Sequence, residues 1–331
     1  MKRLALLAAL VAGGCNALFG LDPTVMVDDG GLVDGPPADA PPDAPPPDAE
    51  IDAPVDGPPP DTGMLPDTGP GELGPFGPPI LVRAFDVAGA DDEDPSLTDD
   101  GLEILFVSNR SGSNGSDIYT SRRPSLAGAW SAPVKVDALC SAREEVHPAI
   151  SGDGRTVYLA SNRGGSGFDI YVATRPNRTA AWGTPQRVAE LSTALDDFGA
   201  APEASGLIAV LNLDGSGNND KDLYLSRRGS PTAAWSTPAR IDELTTDGWD
   251  QDGQLFDGGL VVYYASNRAS HGLDIHVARR ASLGQPFGAP EVVGGLDSAQ
   301  AEMDPWLLPG ERTIFFTVQI GSEENIYTAT R

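Results

Sequence analysis

Beyond residue 75 the chain alternates short apolar runs, rich in β-branched and aromatic residues, with glycine turns, and one stretch shows the unit in full. His147-Pro148-Ala149-Ile150 leads into the turn Ser151-Gly152-Asp153-Gly154, and Thr156-Val157-Tyr158-Leu159-Ala160 follows. Apolar runs of this composition bounded by turn formers predict two strands of a meander, A and B. After the loop Ser161–Gly167, Phe168–Thr174 is strand C, and Trp182-Gly183-Thr184-Pro185 introduces strand D at Gln186-Arg187-Val188-Ala189. The proline stands where an outermost edge strand tolerates a missing donor.

The unit recurs. Asp117-Ile118-Tyr119 reappears as Asp169-Ile170-Tyr171, Asp222-Leu223-Tyr224, Asp274-Ile275-His276 and Asn325-Ile326-Tyr327, at steps of 52, 53, 52 and 51 residues. A β-rich unit of this length cannot bury its own apolar face, so the units must stack around an axis as the blades of a propeller. The strand D signature starts at Trp130, Trp182, Trp235 and Phe287, and a fifth copy stands ahead of the first repeat at Phe76-Gly77-Pro78-Pro79. The fifth repeat has only three strands of its own. Phe76–Phe85 is therefore expected to supply its outer strand, which makes an all-β, five-bladed β-propeller whose last blade is closed by the N-terminal strand. The aromatic ladder Trp130, Trp182, Trp235, Phe287 and Phe76 is assigned to packing between blades.

The pattern Pro-x-x-Ser-x-Asp-Gly, Ser-Asn-Arg and Asp-Ile-Tyr in Pro148–Tyr171 resembles the TolB-type β-propeller repeat, and the resemblance covers Phe76–Arg331. It implies a periplasmic or envelope protein, because such propellers act as docking platforms, envelope components or gates on peptidases. Repeat three departs, with Ala200 for the proline and Leu213-Asp214-Gly215 for Ser-Asn-Arg; repeat four has Gly253 for the proline, and repeat five has Val318-Gln319-Ile320.

Ahead of the repeats lie two segments of different character. In Met1–Gly14, Lys2 and Arg3 precede the apolar run Leu4–Ala12, as in an export signal. Ala12-Gly13-Gly14-Cys15 resembles the lipobox of bacterial lipoproteins, with Ala12 where leucine is usual, and the resemblance implies acylation of Cys15. An ordinary cleaved signal is the alternative. From Asn16 to Pro75 there are 11 Asp and 2 Glu with no Lys or Arg, and 17 of the 30 prolines fall between Pro23 and Pro79. Such a segment cannot build a core and is expected to be a disordered, extended tether. The domains expected are thus a signal peptide over 1–14, a lipid-anchored linker over 15–75 and a propeller over 76–331.

The net charge of −26 leaves both tether and propeller acidic, which argues against nucleic acid and against adsorption to anionic lipid. Membrane attachment would then be covalent. The one other cysteine, Cys140, has no basic neighbour in sequence and is expected to be an inert packing residue.

Nine residues before each A–B turn stand Asp92, Glu145, Asp197, Asp250 and Glu302. Five acids entering the innermost strands are expected around one mouth of the channel, with Asn109, Asn162, Asp214, Asn267 and Gln319 on neighbouring loops as candidate contacts. Converging carboxylates would favour a cation such as Ca²⁺ or a cationic group. Alternatively each acid is a structural device bonding backbone amides or the Arg of Ser-Asn-Arg: Arg110, Arg163 and Arg268. The loop Asp214–Asp222 spaces its oxygen ligands as calcium loops do but lacks their glycine and terminal glutamate. Three histidines, His147, His271 and His276, show no metal-ligand spacing, and no Gly-x-Ser-x-Gly elbow occurs.

The function expected from sequence is a cell-envelope lipoprotein, monomeric and without cofactor or catalysis, whose propeller binds a protein, peptide or glycan. It is expected at the outer membrane, cell surface or periplasm. The alternative is a carbohydrate-active hydrolase with two carboxylates of opposed roles at the channel mouth.

Overall fold

A computed structural model describes residues 73–110, 115–165, 167–215, 221–268 and 272–331. Cys15 and nearly all of the 15–75 tether lie outside the described residues, as do His271 and positions 216–220 of the acidic loop.

Twenty strands make five four-stranded antiparallel sheets. β1 is Ile80–Leu81. The first blade holds β2 (Asp92–Leu97), β3 (Glu103–Ser108), β4 (Asp117–Arg122) and β5 (Val134–Lys135), and the second β6 (Glu145–Ile150), β7 (Thr156–Ser161), β8 (Asp169–Thr174) and β9 (Gln186–Arg187). Next come β10 (Asp197–Pro202), β11 (Ile208–Asp214), β12 (Lys221–Arg227) and β13 (Ala239–Arg240), then β14 (Asp250–Phe256), β15 (Val261–Ser266), β16 (Asp274–Arg279) and β17 (Glu291–Val292). The fifth blade is β18 (Ala301–Leu307), β19 (Thr313–Ile320) and β20 (Glu323–Thr330), completed by β1, which pairs Ile80 with Thr328 and Leu81 with Tyr327. The ring therefore closes through the N-terminal strand, as expected. Strand D is two residues long in every blade, shorter than the expected Phe76–Phe85, and so short an edge offers little to a wrong partner.

Apolar burial is organised between blades. One cluster joins Phe106 and Tyr119 of the first blade to Phe315 and Ile326 of the fifth. Three others join the first blade to the second, the second to the third and the third to the fourth, and another joins the fourth to the fifth through Phe76, Tyr263 and Phe316. Each strand D aromatic belongs to such a seam. Gly295, at φ +86°, lets the chain pass Phe76 at a distance no side chain would permit: a Cβ there would meet the Phe76 carbonyl at 2.1 Å.

Strand A carries an irregularity in all five blades, between Glu93 and Ser96, Val146 and Ala149, Asp197 and Gly199, Gln251 and Gln254, and Met303 and Trp306. A bulge re-aims the side chain it displaces. At this point Asp94, His147, Asp252 and Asp304 adopt φ of +55°, +47°, +59° and +54°, a region that Asp, Asn and His enter more readily than other side chains.

Candidate functional site

The five acids of the expected ring begin or nearly begin strand A, and all are buried. Their carboxylates close the loops that precede them. Glu145 accepts from the Ser141 N–H at 2.8 Å, and Asp197 and Asp250 accept from Thr193 and Thr246 N–H at 2.6 and 2.7 Å. Glu302 is bonded to the Ser298 hydroxyl and Asp92 to the Val87 N–H. In the three repeats that keep Ser-Asn-Arg the guanidinium completes the device: Arg110 pairs with Asp92, Arg163 with Glu145 at 3.1 Å and Arg268 with Asp250 at 2.9 Å. Each arginine also donates to a carbonyl of the same loop, that of Phe85, Leu139 or Leu244. These acids thus have local partners in every blade, as in the structural alternative.

Where Ser-Asn-Arg is missing the carboxyls respond. Burial pushes Asp197 up to about 6 and Glu302 up to about 7 against the hydrogen bonds of Thr193 and Ser298. Burial raises Asp92 as well, although Ser108 and Arg110 oppose it.

The candidate loop contacts are also engaged. Asn109, Asn162 and Asn267 each accept a backbone N–H from the residue eighteen positions earlier, Asp91, Glu144 and Trp249, at 3.0 Å. Asp214 receives its place from its N–H to the Asp196 carbonyl, and Gln319 donates to Glu324 at 3.1 Å. They pin one loop to the next. Cys140 is half-buried, and burial pushes its thiol up to about 12, which disfavours the thiolate.

The side chains that do meet at the axis lie two residues further along strand A: Asp94, His147, Asp252 and Asp304, with Gly199 in the third blade. They line a cavity of about 50 Å³ contributed by all five blades. His147 Nδ1 lies 2.7 Å from Asp94 Oδ1 and 3.6 Å from Asp252 Oδ1. Asp94 also accepts the His147 N–H at 2.8 Å, while Asn212 and Gln251 donate to Asp252 at 3.1 and 2.7 Å. Asp304 is hydrogen-bonded to both Asp94 and Asp252. Burial would raise Asp94, but the imidazole outweighs it and holds the carboxyl below its ordinary value. Burial, then the charges of Asp94 and Asp252, push the Asp304 carboxyl well above its ordinary value. Burial opposes a charge on His147 and Asp94 favours it, with a net rise.

Sequence reasoning passed over this set, although a signal was present. Position +2 from the ring reads Asp, His, Gly, Asp, Asp. The ring itself is uniformly acidic, whereas this position breaks the symmetry of the repeat.

Towards the A–B turns the axis widens into a funnel of about 890 Å³ with walls from all five blades. Its rim carries one acid per blade, Asp99, Asp153, Glu203, Asp257 and Glu311, beside Arg228 and Arg279. Trp306 lines both the funnel and the small axial cavity, together with Ala149 and Ala201. Its indole donates to the Leu97 carbonyl at 3.0 Å, which carries the ring from the fifth blade to the first.

No family model and no curated protein matches the chain. Among solved structures it is similar to TolB from Acinetobacter baumannii, at 15% identity over 72% of this chain and 54% of that one, with a TM-score of 0.44. The chain spans about half the length of that protein. It is also similar to an endo-arabinase from Bacteroides thetaiotaomicron (14% identity, 77% and 97% covered, TM-score 0.50) and to an α-L-arabinofuranosidase from Podospora anserina in complex with cellotriose (11%, 78% and 94%, TM-score 0.54). The likeness to the endo-arabinase and the α-L-arabinofuranosidase agrees with the five-bladed β-propeller fold.

Proposed function

We propose that the chain is a cell-envelope binding module that receives a peptide or glycan in the funnel and performs no chemistry on it. The placement of Trp306 supports this most directly. A funnel of about 890 Å³ is of ligand size and has an aromatic floor, whereas the carboxyls with shifted protonation lie past Trp306 around about 50 Å³, too little for a sugar ring. Five acids and two arginines at the rim favour a neutral or cationic ligand over an anionic one.

Hydrolysis of glycosides, the second reading, asks for two carboxyl groups about 5–5.5 Å apart for retention or roughly 6.5–9.5 Å for inversion. Asp304 instead touches both Asp94 and Asp252. The fold is shared with TolB as well as with an endo-arabinase and an α-L-arabinofuranosidase, so fold alone does not choose between the two readings.

Lys2 and Arg3 ahead of the apolar run Leu4–Ala12, and the lipobox-like Ala12-Gly13-Gly14-Cys15, support placement at the membrane surface. The test is a panel of cationic oligopeptides, peptidoglycan fragments and xylo- and arabino-oligosaccharides. Tryptophan fluorescence reports binding, and release of reducing ends reports turnover. Binding that Trp306→Ala abolishes, without turnover, is the expected result; turnover lost in Asp304→Asn would overturn the proposal.

A further inference from the structure

The geometry points to a divalent transition-metal site on the propeller axis, with His147 Nδ1 and the carboxylates of Asp94, Asp252 and Asp304 as ligands. The ligand atoms of Asp94, His147 and Asp304 all lie within 4.8 Å of one another, and Asp252 Oδ1 is 3.6 Å from His147 Nδ1. Metal–ligand bonds of about 2.0–2.2 Å in a tetrahedron place neighbouring donors roughly 3.3–3.6 Å apart. Asp94, His147 and Asp304 already bring one donor atom each within 4.8 Å of the others, and Asp252 stands beside His147 as the fourth ligand.

Charge argues the same way. Three carboxyls and one imidazole share a buried site, and a protonated imidazole cancels only one of three negative charges. Buried charge is paired or coordinates a metal. Among the described residues no Lys or Arg lines the cavity, so a cation from outside or shared protons would offset the remaining charge.

A separate observation concerns Gln251. It is 3% exposed, and its amide nitrogen donates to Asp252 Oδ2 at 2.7 Å. Its Oε1 is buried with no hydrogen-bond partner among the described residues. A buried acceptor without a donor is costly. Because the Gln251 amide is already bonded to Asp252, a water on an ion held by Asp252 would give this oxygen its partner.

An imidazole nitrogen among carboxylate oxygens suits Zn²⁺ or Mn²⁺, whereas Ca²⁺ takes oxygen ligands. The ligands come from the first, second, fourth and fifth blades, so one ion would pin four blades at their common axis. Gly199 supplies no side chain and leaves the third side to Asn212, which already orients Asp252.

The test uses the full chain stripped with a chelator, then titrated calorimetrically with ZnCl₂, MnCl₂ or CaCl₂ and followed by thermal unfolding. The expected result is one Zn²⁺ or Mn²⁺ per chain with a Kd below roughly 10 µM and a Tm rise of about 5–10 °C at saturation. Asp304→Asn, which keeps the shape of the protonated acid, weakens binding at least tenfold, and Asp197→Asn in the acidic ring leaves it unchanged. Co²⁺ bound in place of Zn²⁺ shows a visible spectrum that His147→Ala alters; should that variant not fold, Asp304→Asn carries the test. A Tm unmoved by each metal would overturn the site and leave the carboxyls sharing protons. A response to Ca²⁺ alone would overturn the assignment of His147 as a ligand.

Discussion

Arg331 lays its guanidinium over the ring of Phe76, with Cζ 4.2 Å from the ring centre, and so joins the third strand of the fifth blade to the segment that completes that blade. Its Nε donates to the Glu311 carbonyl at 2.7 Å. The same device recurs as Arg123 on Trp130, Arg175 on Trp182, Arg228 on Trp235 and Arg280 on Phe287, at 4.1 to 4.4 Å. Each of those arginines donates from Nε to a glycine carbonyl of its own A–B turn, at Gly101, Gly154, Gly206 and Gly259. One guanidinium thus ties turn, strand C and strand D together in every blade.

Removing the closing pair is expected to loosen the ring. Phe76→Ala should cost about 3–4 kcal/mol, and Arg331→Ala about 2 kcal/mol through the lost cation–π contact and the carbonyl left without its donor. Chemical unfolding checks both, and a double variant no worse than Phe76→Ala would show that the two act as one unit.

Glu103 links the first two blades. It accepts from Arg122 at 2.9 Å and from Arg175 at 2.8 Å, with Arg178 at 3.3 Å. Glu103→Gln leaves Arg175, itself buried, without its counter-charge, and should cost about 3 kcal/mol, or a Tm fall of roughly 6–12 °C. Burial would raise the Glu103 carboxyl, but Arg175 and Arg122 outweigh it and hold it below the ordinary value of 4.5. Its contribution is therefore present above pH 4.5 and is lost as pH falls through the lower folded value.

Asp197 has the opposite sign. With its folded pKa pushed up to about 6 from an ordinary 3.8, its stabilising protonation is complete below the ordinary value and is lost as pH rises through the folded one. Between pH 4 and pH 7 the wild type should lose about 1–2 kcal/mol more than Asp197→Asn. Parallel pH profiles for the two proteins would show that Asp197 does not titrate in this window.

Trp306→Phe should keep an aromatic floor but lose the bond to the Leu97 carbonyl, at a cost of about 1 kcal/mol. Trp306→Ala should cost about 3 kcal/mol and join the funnel to the axial cavity. Ligand affinity falling in the alanine variant and persisting in the phenylalanine one would separate stacking from the hydrogen bond.

Cys15→Ala is expected to release the protein from the membrane fraction after lysis, and detergent partitioning measures it. Unchanged partitioning would remove the lipid anchor from the proposed function.

The propeller was legible along the chain, because five apolar units with a common spacing can bury their faces only against one another. So was the closure, since Phe76-Gly77-Pro78-Pro79 repeats a strand D signature out of order. The ring of five acids was legible too, along with the arginines that hold three of them. Which strand A side chains meet was not legible there and depends on the folded backbone. Displacement by the bulge is a backbone event, set by left-handed residues at Asp94, His147, Asp252 and Asp304, and it carries the axial site two residues past the most regular acidic position. Likewise Trp306 reads in sequence as one more strand aromatic. Its place between funnel and axial cavity follows from small residues at Ala149 and Ala201 in other blades, whose proximity no spacing along the chain encodes.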